Sequence, residues 1–286
     1  MFRALILSAL AGTLSSTTLA HADPDKDWRP VPAERLLILT LESGEVILEL
    51  NDDFAPAHVA QFSQHVSEGL YDGERFYRVI DGFVAQAGLQ DDEVVEEYPK
   101  LTNENDRPLS DTPFAQLGNE DLFAPETGHM AGFPVARDEE LGREWLLHCP
   151  GALAMARDTD PDTGSTEFYI VLDAQRYLDR NLTVFGRVLS GMKHIQALTR
   201  GDMSIAGGVI QPPAQGDLII SAKLASDMPE ADRPSWEVMV TPSDRFEDFK
   251  TSKRVREEAF FYRKPPEILD ICSFSTPARP TPDKGE

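Results

Sequence analysis

The sequence predicts a mainly β protein: an antiparallel sheet of many short strands closed into a barrel, with a few flanking helices and a helical C-terminal extension. Three observations lead there. Short runs of apolar, β-branched and aromatic residues recur along the chain between turn-forming Gly, Pro and Asp, the pattern of strands in an all-β domain. Helical signals are confined to a stretch after Pro56 and another after Thr241. The 286 residues, 41% of them hydrophobic, suffice for one sizeable core.

The first residues, MFRALILSALAGTLSSTTLAHA, place Arg3 before an apolar run at 4–12 and end in Ala20-His21-Ala22. That is the layout of a signal peptide, too short for a membrane span, and it predicts a mature chain beginning at Asp23 with no membrane insertion after cleavage. Residues 35–50, RLLILTLESGEVILEL, are two strands around Gly44, a β-hairpin. Pro56 suits a first helical turn; Val59, Phe62 and Val66 continue an apolar stripe, and Gly69 ends it. His58 and His65 lie on this helix and are assigned to surface or packing roles. Residues 75–89, RFYRVIDGFVAQAGL, form two strands about the Asp81-Gly82 turn, the second ending in small residues that permit close backbone approach.

Residues 91–97, DDEVVEE, are an acidic cluster, and 100–148 lack sustained periodicity, so about 91–150 is expected to be a long surface excursion docked back through Trp145, Leu146 and Leu147. Strands are expected again within 151–157, 167–172, 183–188 and 218–224. The domain therefore spans 34–226, and 227–286 is an extension packed on it. In the extension Thr241 is read as a helix cap, with Phe246, Phe249, Val255, Ala259 and Phe260 as the apolar face. Residues 250–264 are the one basic stretch, expected to be a helix face docked on the acidic body, with a partner-binding face as the alternative.

The chain carries 27 Lys and Arg against 49 Asp and Glu, a net charge of −22. A sequence-independent grip on nucleic acid or anionic lipid is excluded on that ground. The two cysteines, Cys149 and Cys272, are expected to form one disulfide in an exported chain, worth roughly 4–5 kcal/mol by loop entropy. Two buried thiols are the alternative; a metal site using His148 and Cys149 lacks the four ligands such sites use. No metal and no cofactor is expected.

Phe76-Tyr77-Arg78-Val79-Ile80-Asp81-Gly82-Phe83-Val84-Ala85-Gln86-Ala87-Gly88 resembles the signature of the cyclophilin family of peptidyl-prolyl isomerases, Phe-His-Arg-Val-Ile-x-Gly-Phe-x-x-Gln-x-Gly. Tyr71-Asp72-Gly73, then 151–157, 165–170, 177–179 and 184–188, look like the family's other blocks in the family's order. The resemblance covers 34–90 and 151–224. It implies a cyclophilin-like barrel and isomerisation of X–Pro bonds in proline-containing polypeptides, which the signal-like first residues place in an exported, periplasmic compartment. A proline-peptide binding or assembly module that catalyses little is the alternative, and an acidic metal-binding protein built on 91–97 a remote third. Oligomeric state is not read from the sequence.

The chemistry has a physical basis of its own. An amide rotates over a barrier of about 18–20 kcal/mol because resonance must be broken. At about 90° of twist the prolyl nitrogen's lone pair is localised, so a fixed cationic donor aimed at it stabilises the transition state selectively. Arg78 is the candidate donor. By resemblance Phe83, Val84, Tyr169 and Leu178 form an apolar pocket for the pyrrolidine ring, Gln86 is a polar clamp with a catalytic part, and Ala156 lies along the peptide groove. Four positions depart from the family's usual residues: Tyr77 for His, Glu167 for Gln, Tyr177 for Trp and Leu182 for His or Tyr. Tyr177, counted with the binding residues, implies a weak response to cyclosporin-type ligands. Glu167, also counted with the binding residues, is expected to orient Arg78, at the risk of partly neutralising it.

Overall fold

The structure, a computed structural model, describes residues 26–282; the predicted signal segment lies outside them. The chain runs β1 (Trp28–Pro30), β2 (Leu36–Leu41), β3 (Gly44–Leu50), α1 (Pro56–Ser67), β4 (Arg78–Val79), β5 (Val84–Ala87) and the short α2 (Asp92–Val95). Five strands follow, β6 (Arg107–Pro108), β7 (Phe114–Gln116), β8 (Glu126–Met130), β9 (Phe133–Asp138) and β10 (Arg143–Leu146). Then come β11 (Ala152–Met155), β12 (Phe168–Val171), β13 (Val184–Ser190), α3 (Met192–Gln196), β14 (Ile219–Leu224), β15 (Trp236–Met239), α4 (Asp244–Arg254) and β16 (Ala278–Pro280).

The principal sheet has eight strands in the order β14-β2-β3-β13-β11-β12-β5-β4, every neighbouring pair antiparallel. It curls around one core, in which Leu37, Leu48, Phe76, Leu153, Phe168 and Phe185 pack against Val59 and Phe62 of α1. The predicted hairpin is β2-β3, with Leu41 opposite Gly44. Pro56 opens α1 and Gly69 follows it at φ 74°. His58 and His65 are packing residues, each 2% exposed.

The expected closed barrel is corrected to a half-barrel. β4 has only two residues, and the edges β4 and β14 are joined by an isolated bridge, Arg75 to Leu218, and a few backbone bonds such as Phe76 N–H to Asp217 O (3.0 Å) rather than by a ladder.

The surface excursion carries short elements of its own. β6 to β10 form their own five-stranded sheet, ordered β6-β10-β9-β8-β7. It is built of short strands broken by turns, too brief for alternation to be read, and it buries Met130, Phe133, Val135 and Leu146 against the outer face of the principal sheet. Charges inside it are paired: Glu144, fully buried, accepts from Arg107 and Arg137 at 2.8 and 2.9 Å, as a buried carboxylate must.

The extension after Asp227 is not a helical unit. β15 pairs with β1 on one side and β16 on the other, and α4 ends at Arg254, leaving Val255, Ala259 and Phe260 off it. Its cap is Ser243 and not Thr241: Ser243 Oγ accepts from Phe246 N–H at 3.1 Å. The basic stretch docks partly as expected, Lys250 Nζ and Arg254 donating to the carbonyls of Gln116 and Leu117 at 2.9 and 2.7 Å. Leu269 and Ile271 pack with Trp145, Leu147 and the sulfur atoms beside them, and Cys149 and Cys272 form the disulfide.

Candidate active site

Strand register assembles the site. Arg78 lies opposite Gln86, Gln86 opposite Tyr169, and Tyr169 opposite Ala154, and directly opposed residues share a face of a sheet. The alternate positions Val79, Ala85, Phe168 and Ile170 fill the core. Arg78, Gln86 and Tyr169 are therefore aligned in one row on the outer face, with Val84 two residues from Gln86 on the same side.

Arg78 is held at two points. Its Nε donates to Gly207 O at 2.8 Å, and its Nη1 donates to Gln86 Oε1 at 3.1 Å. The guanidinium carbon lies 5.8 Å from the centre of the Phe83 ring. Of five guanidinium N–H donors, three are left for solvent or substrate. Gln86 is fixed in turn: its Nε2 donates to Tyr77 Oη at 2.7 Å and to Glu167 Oε2 at 2.9 Å, and the Tyr77 hydroxyl donates to Glu167 Oε1 at 2.8 Å. Burial foremost, then the charge and hydrogen bond of Glu167, push the Tyr77 phenol above its ordinary pKa, so it stays a donor.

Gly88 permits this closeness. At φ 130°, a Cβ there would stand 2.7 Å from Glu167 Cα and from Thr166 O.

The pocket residues also converge. Val84 and Tyr169 are buried in one apolar cluster on the outer face, against which Phe83, Ala156 and Leu182 pack. Leu178 is half-buried on the 3-10 turn Arg176–Leu178, and Tyr177 on the same turn is 61% exposed. A groove of about 290 Å³ adjoins Gln86 and Glu167 and is lined further by Leu89, Val95, Ala156 and Arg157. Tyr169 is 4% exposed, and burial keeps its phenol protonated.

Sequence reasoning missed three contributors. The Gly207 carbonyl comes from a loop with no signature. His148, considered only as a metal ligand, bonds Tyr169 Oη through Nε2 at 2.9 Å. Tyr77 was visible only as a departure, yet the signal was there: residues 77 and 167 depart together, and they bond to each other. No group of His, Cys, Asp and Glu able to hold a metal ion occurs among the described residues.

Comparisons with known proteins establish the family. The family model of the cyclophilin type peptidyl-prolyl cis-trans isomerases/CLD matches residues 36–224, and the chain belongs to that family. A probable peptidyl-prolyl cis-trans isomerase of Brucella suis biovar 1 (strain 1330) is 31% identical over 210 residues, 73% of this chain and 88% of that one. Peptidyl-prolyl cis-trans isomerase B of Bacillus subtilis (strain 168) is 33% identical over 164 residues, 57% of this chain and 90% of that one. Among solved structures, the cyclophilin AquaCyp293 from Hirschia baltica superposes with a TM-score of 0.73 at 29% identity, covering 93% of this chain and 98% of that chain. The protein is a peptidyl-prolyl cis-trans isomerase.

Proposed function

We propose that the protein isomerises X–Pro bonds of exported polypeptides by presenting Arg78 to the prolyl nitrogen of the twisted amide while Phe83, Val84, Tyr169 and Leu178 hold the pyrrolidine ring. The observation that carries this reading is the restraint of Arg78. Its two hydrogen-bond acceptors, Gly207 O and Gln86 Oε1, are uncharged, so the guanidinium is fixed in direction without being neutralised by them. A donor already in place costs no reorganisation when the lone pair localises. An acceleration of about 10⁵-fold needs about 7 kcal/mol, within reach of one oriented charged contact plus positioning, and no nucleophile is required.

Glu167 acts through Gln86. Its carboxylate accepts from the Gln86 amide, which turns Oε1 toward Arg78. Ala156, on the wall of the adjoining groove, lies where the peptide on one side of the proline would run, and Tyr177 offers an exposed aromatic rim. The catalytic domain corresponds to 34–226 interrupted by about 91–150, with 227–286 as an added unit.

Export to an oxidising compartment, the periplasm, rests on the Cys149–Cys272 disulfide and the signal-like first 22 residues. No described helix is long and apolar enough to cross a membrane. A protease-coupled assay on a Xaa-Pro-Phe tetrapeptide tests the mechanism: Arg78→Ala is expected to lower kcat/KM about 100-fold or more, and retention of a third of the parent's activity rejects it.

A further inference from the structure

The outer face beside the proposed proline pocket carries a chain of buried polar groups that the twisted-amide mechanism does not use. The Tyr169 hydroxyl meets His148 Nε2 at 2.9 Å. The other ring nitrogen of His148, Nδ1, meets Asp179 Oδ1 at 3.1 Å, and the His148 backbone N–H donates to the same oxygen at 2.9 Å. A carboxylate only accepts, so Nδ1 donates to Asp179, and in the neutral imidazole Nε2 then accepts from the Tyr169 hydroxyl. Asp179 Oδ2 accepts from Arg176 Nε at 2.5 Å, and the Arg176 guanidinium grips Asp121 at both carboxylate oxygens, 3.0 and 3.1 Å. The side chain of His148 is fully buried, and those of Asp179, Arg176 and Asp121 are no more than 8% exposed. The two rings of His148 and Tyr169 lie nearly parallel, 17° apart.

The ends of this chain belong to different parts of the molecule. Asp121 and His148 come from the excursion. Arg176 and Asp179 flank Leu178, and Tyr169 lies on β12 of the principal sheet. We propose that the excursion is part of the proline-binding machinery, with His148 and Asp121 as positioning residues that brace two walls of the pocket, Tyr169 and Leu178. The inference rests on the pocket reading given above.

The physical advantage is preorganisation. An aromatic ring bounding a surface pocket can tilt about its side-chain torsions, and ordering it on binding costs affinity. A hydroxyl tied to a buried, doubly anchored imidazole removes that freedom before the substrate arrives. The main chain reinforces it: Gln175 N–H donates to His148 O at 2.9 Å, and Gln175 Nε2 donates to Gly82 O at 2.8 Å, beside Phe83. Gln175 thus ties the end of the excursion to the Gly82 turn that precedes Phe83.

A wall that holds the ring equally in the ground and transition states contributes uniform binding, so loosening it raises KM and leaves kcat nearly unchanged. The test is a double-mutant cycle on the full disulfide-bonded chain, with a Xaa-Pro-Phe tetrapeptide titrated for KM and kcat. Tyr169→Phe keeps the ring and its volume. It and His148→Phe are each expected to raise KM about five-fold, the worth of about one hydrogen bond, while the double variant is no worse than either alone. Equal, additive effects of His148→Phe in both backgrounds, or a lowered Tm with unchanged KM, would overturn the bracing role. Tyr169→Ala separates the premises: unchanged KM in that variant refutes the pocket itself, whereas a raised KM there with no effect of Tyr169→Phe refutes only the brace.

Discussion

Replacing Glu167 by Gln removes one negative charge and almost no volume, and two opposite effects compete. The carboxylate accepts two hydrogen bonds, from Tyr77 Oη and Gln86 Nε2. Bonds to an ionised group contribute about 1.5–3 kcal/mol and neutral ones about 0.5–1.5. An amide in its place accepts with one end only, so the restraint on Gln86 falls by about 2 kcal/mol, and a flipped Gln86 would turn an N–H toward the Arg78 guanidinium. Against this, Glu167 also opposes the field of Arg78. Across about 6 Å at an effective dielectric of about 20, a full charge would feel about 3 kcal/mol. The amide nitrogen gains only a small fraction of a charge on twisting, so the relief it feels is below about 1 kcal/mol. Orientation wins, and kcat/KM in the protease-coupled assay is expected to fall about ten-fold for Glu167→Gln, with Tm little changed. A variant as fast as the parent, or faster, refutes the orienting role and makes Glu167 a brake on Arg78.

Three further outcomes follow from the geometry. Arg78→Lys keeps the charge but lacks the planar fork that reaches both Gly207 O and Gln86 Oε1, so kcat/KM is expected to fall about ten-fold or more, and full activity in the same assay contradicts the need for a fixed direction. Cys272→Ser opens a loop of 123 residues and is expected to cost about 5 kcal/mol by the chain-entropy model, read as a lowered urea midpoint; an unchanged midpoint shows that packing alone holds the extension. His129, fully buried and packed against Phe246 and Phe274, has its pKa lowered to about 3 by burial first and by Arg187 and Lys250 after it. Between about pH 6.5 and 3 the unfolded chain binds the proton and the folded one does not, so stability falls as pH falls, by about 2 kcal/mol at pH 5. His129→Leu should flatten that part of the pH–Tm curve, and an unaltered slope removes His129 from the account.

The legible parts of this molecule are those fixed by local patterning or by a motif. The β2-β3 hairpin around Gly44, the helix opened by Pro56, and the Arg78-to-Gly88 hairpin each announce themselves over a dozen or so residues, and register then carries Arg78 to Gln86 and Tyr169 without further information. The excursion was illegible because its strands are short and its order comes from burial on the outer face, where Met130 and Phe133 share one apolar cluster with Val84 and Tyr169 across long sequence separations. The capping hydroxyl was misplaced by two residues because Thr241 and Ser243 are both competent; Thr241 Oγ1 is occupied instead by Gly132 N–H at 2.8 Å. The links from Glu167 to Gln86 and from His148 to Tyr169 need side-chain geometry, which no spacing rule supplies.

The disposition of charge ties these threads together. Most arginines of this acidic chain are absorbed by carboxylates: Arg187 and Arg29 by Glu49, Arg107 and Arg137 by Glu144, Arg176 by Asp121 and Asp179, Arg143 and Arg180 by Asp106. Such pairs fix positions, and their charge is spent locally. Arg78 is treated differently, held through a carbonyl and a side-chain amide, with the carboxylate of Glu167 engaging that amide from its far end. A direct bidentate pair would hold the guanidinium as firmly but occupy the donors that the twisted amide requires. Placing a neutral amide between the two charges keeps the direction that a carboxylate enforces and leaves the donors of Arg78 for the substrate, the compromise an acidic protein needs if one arginine is to do its chemistry.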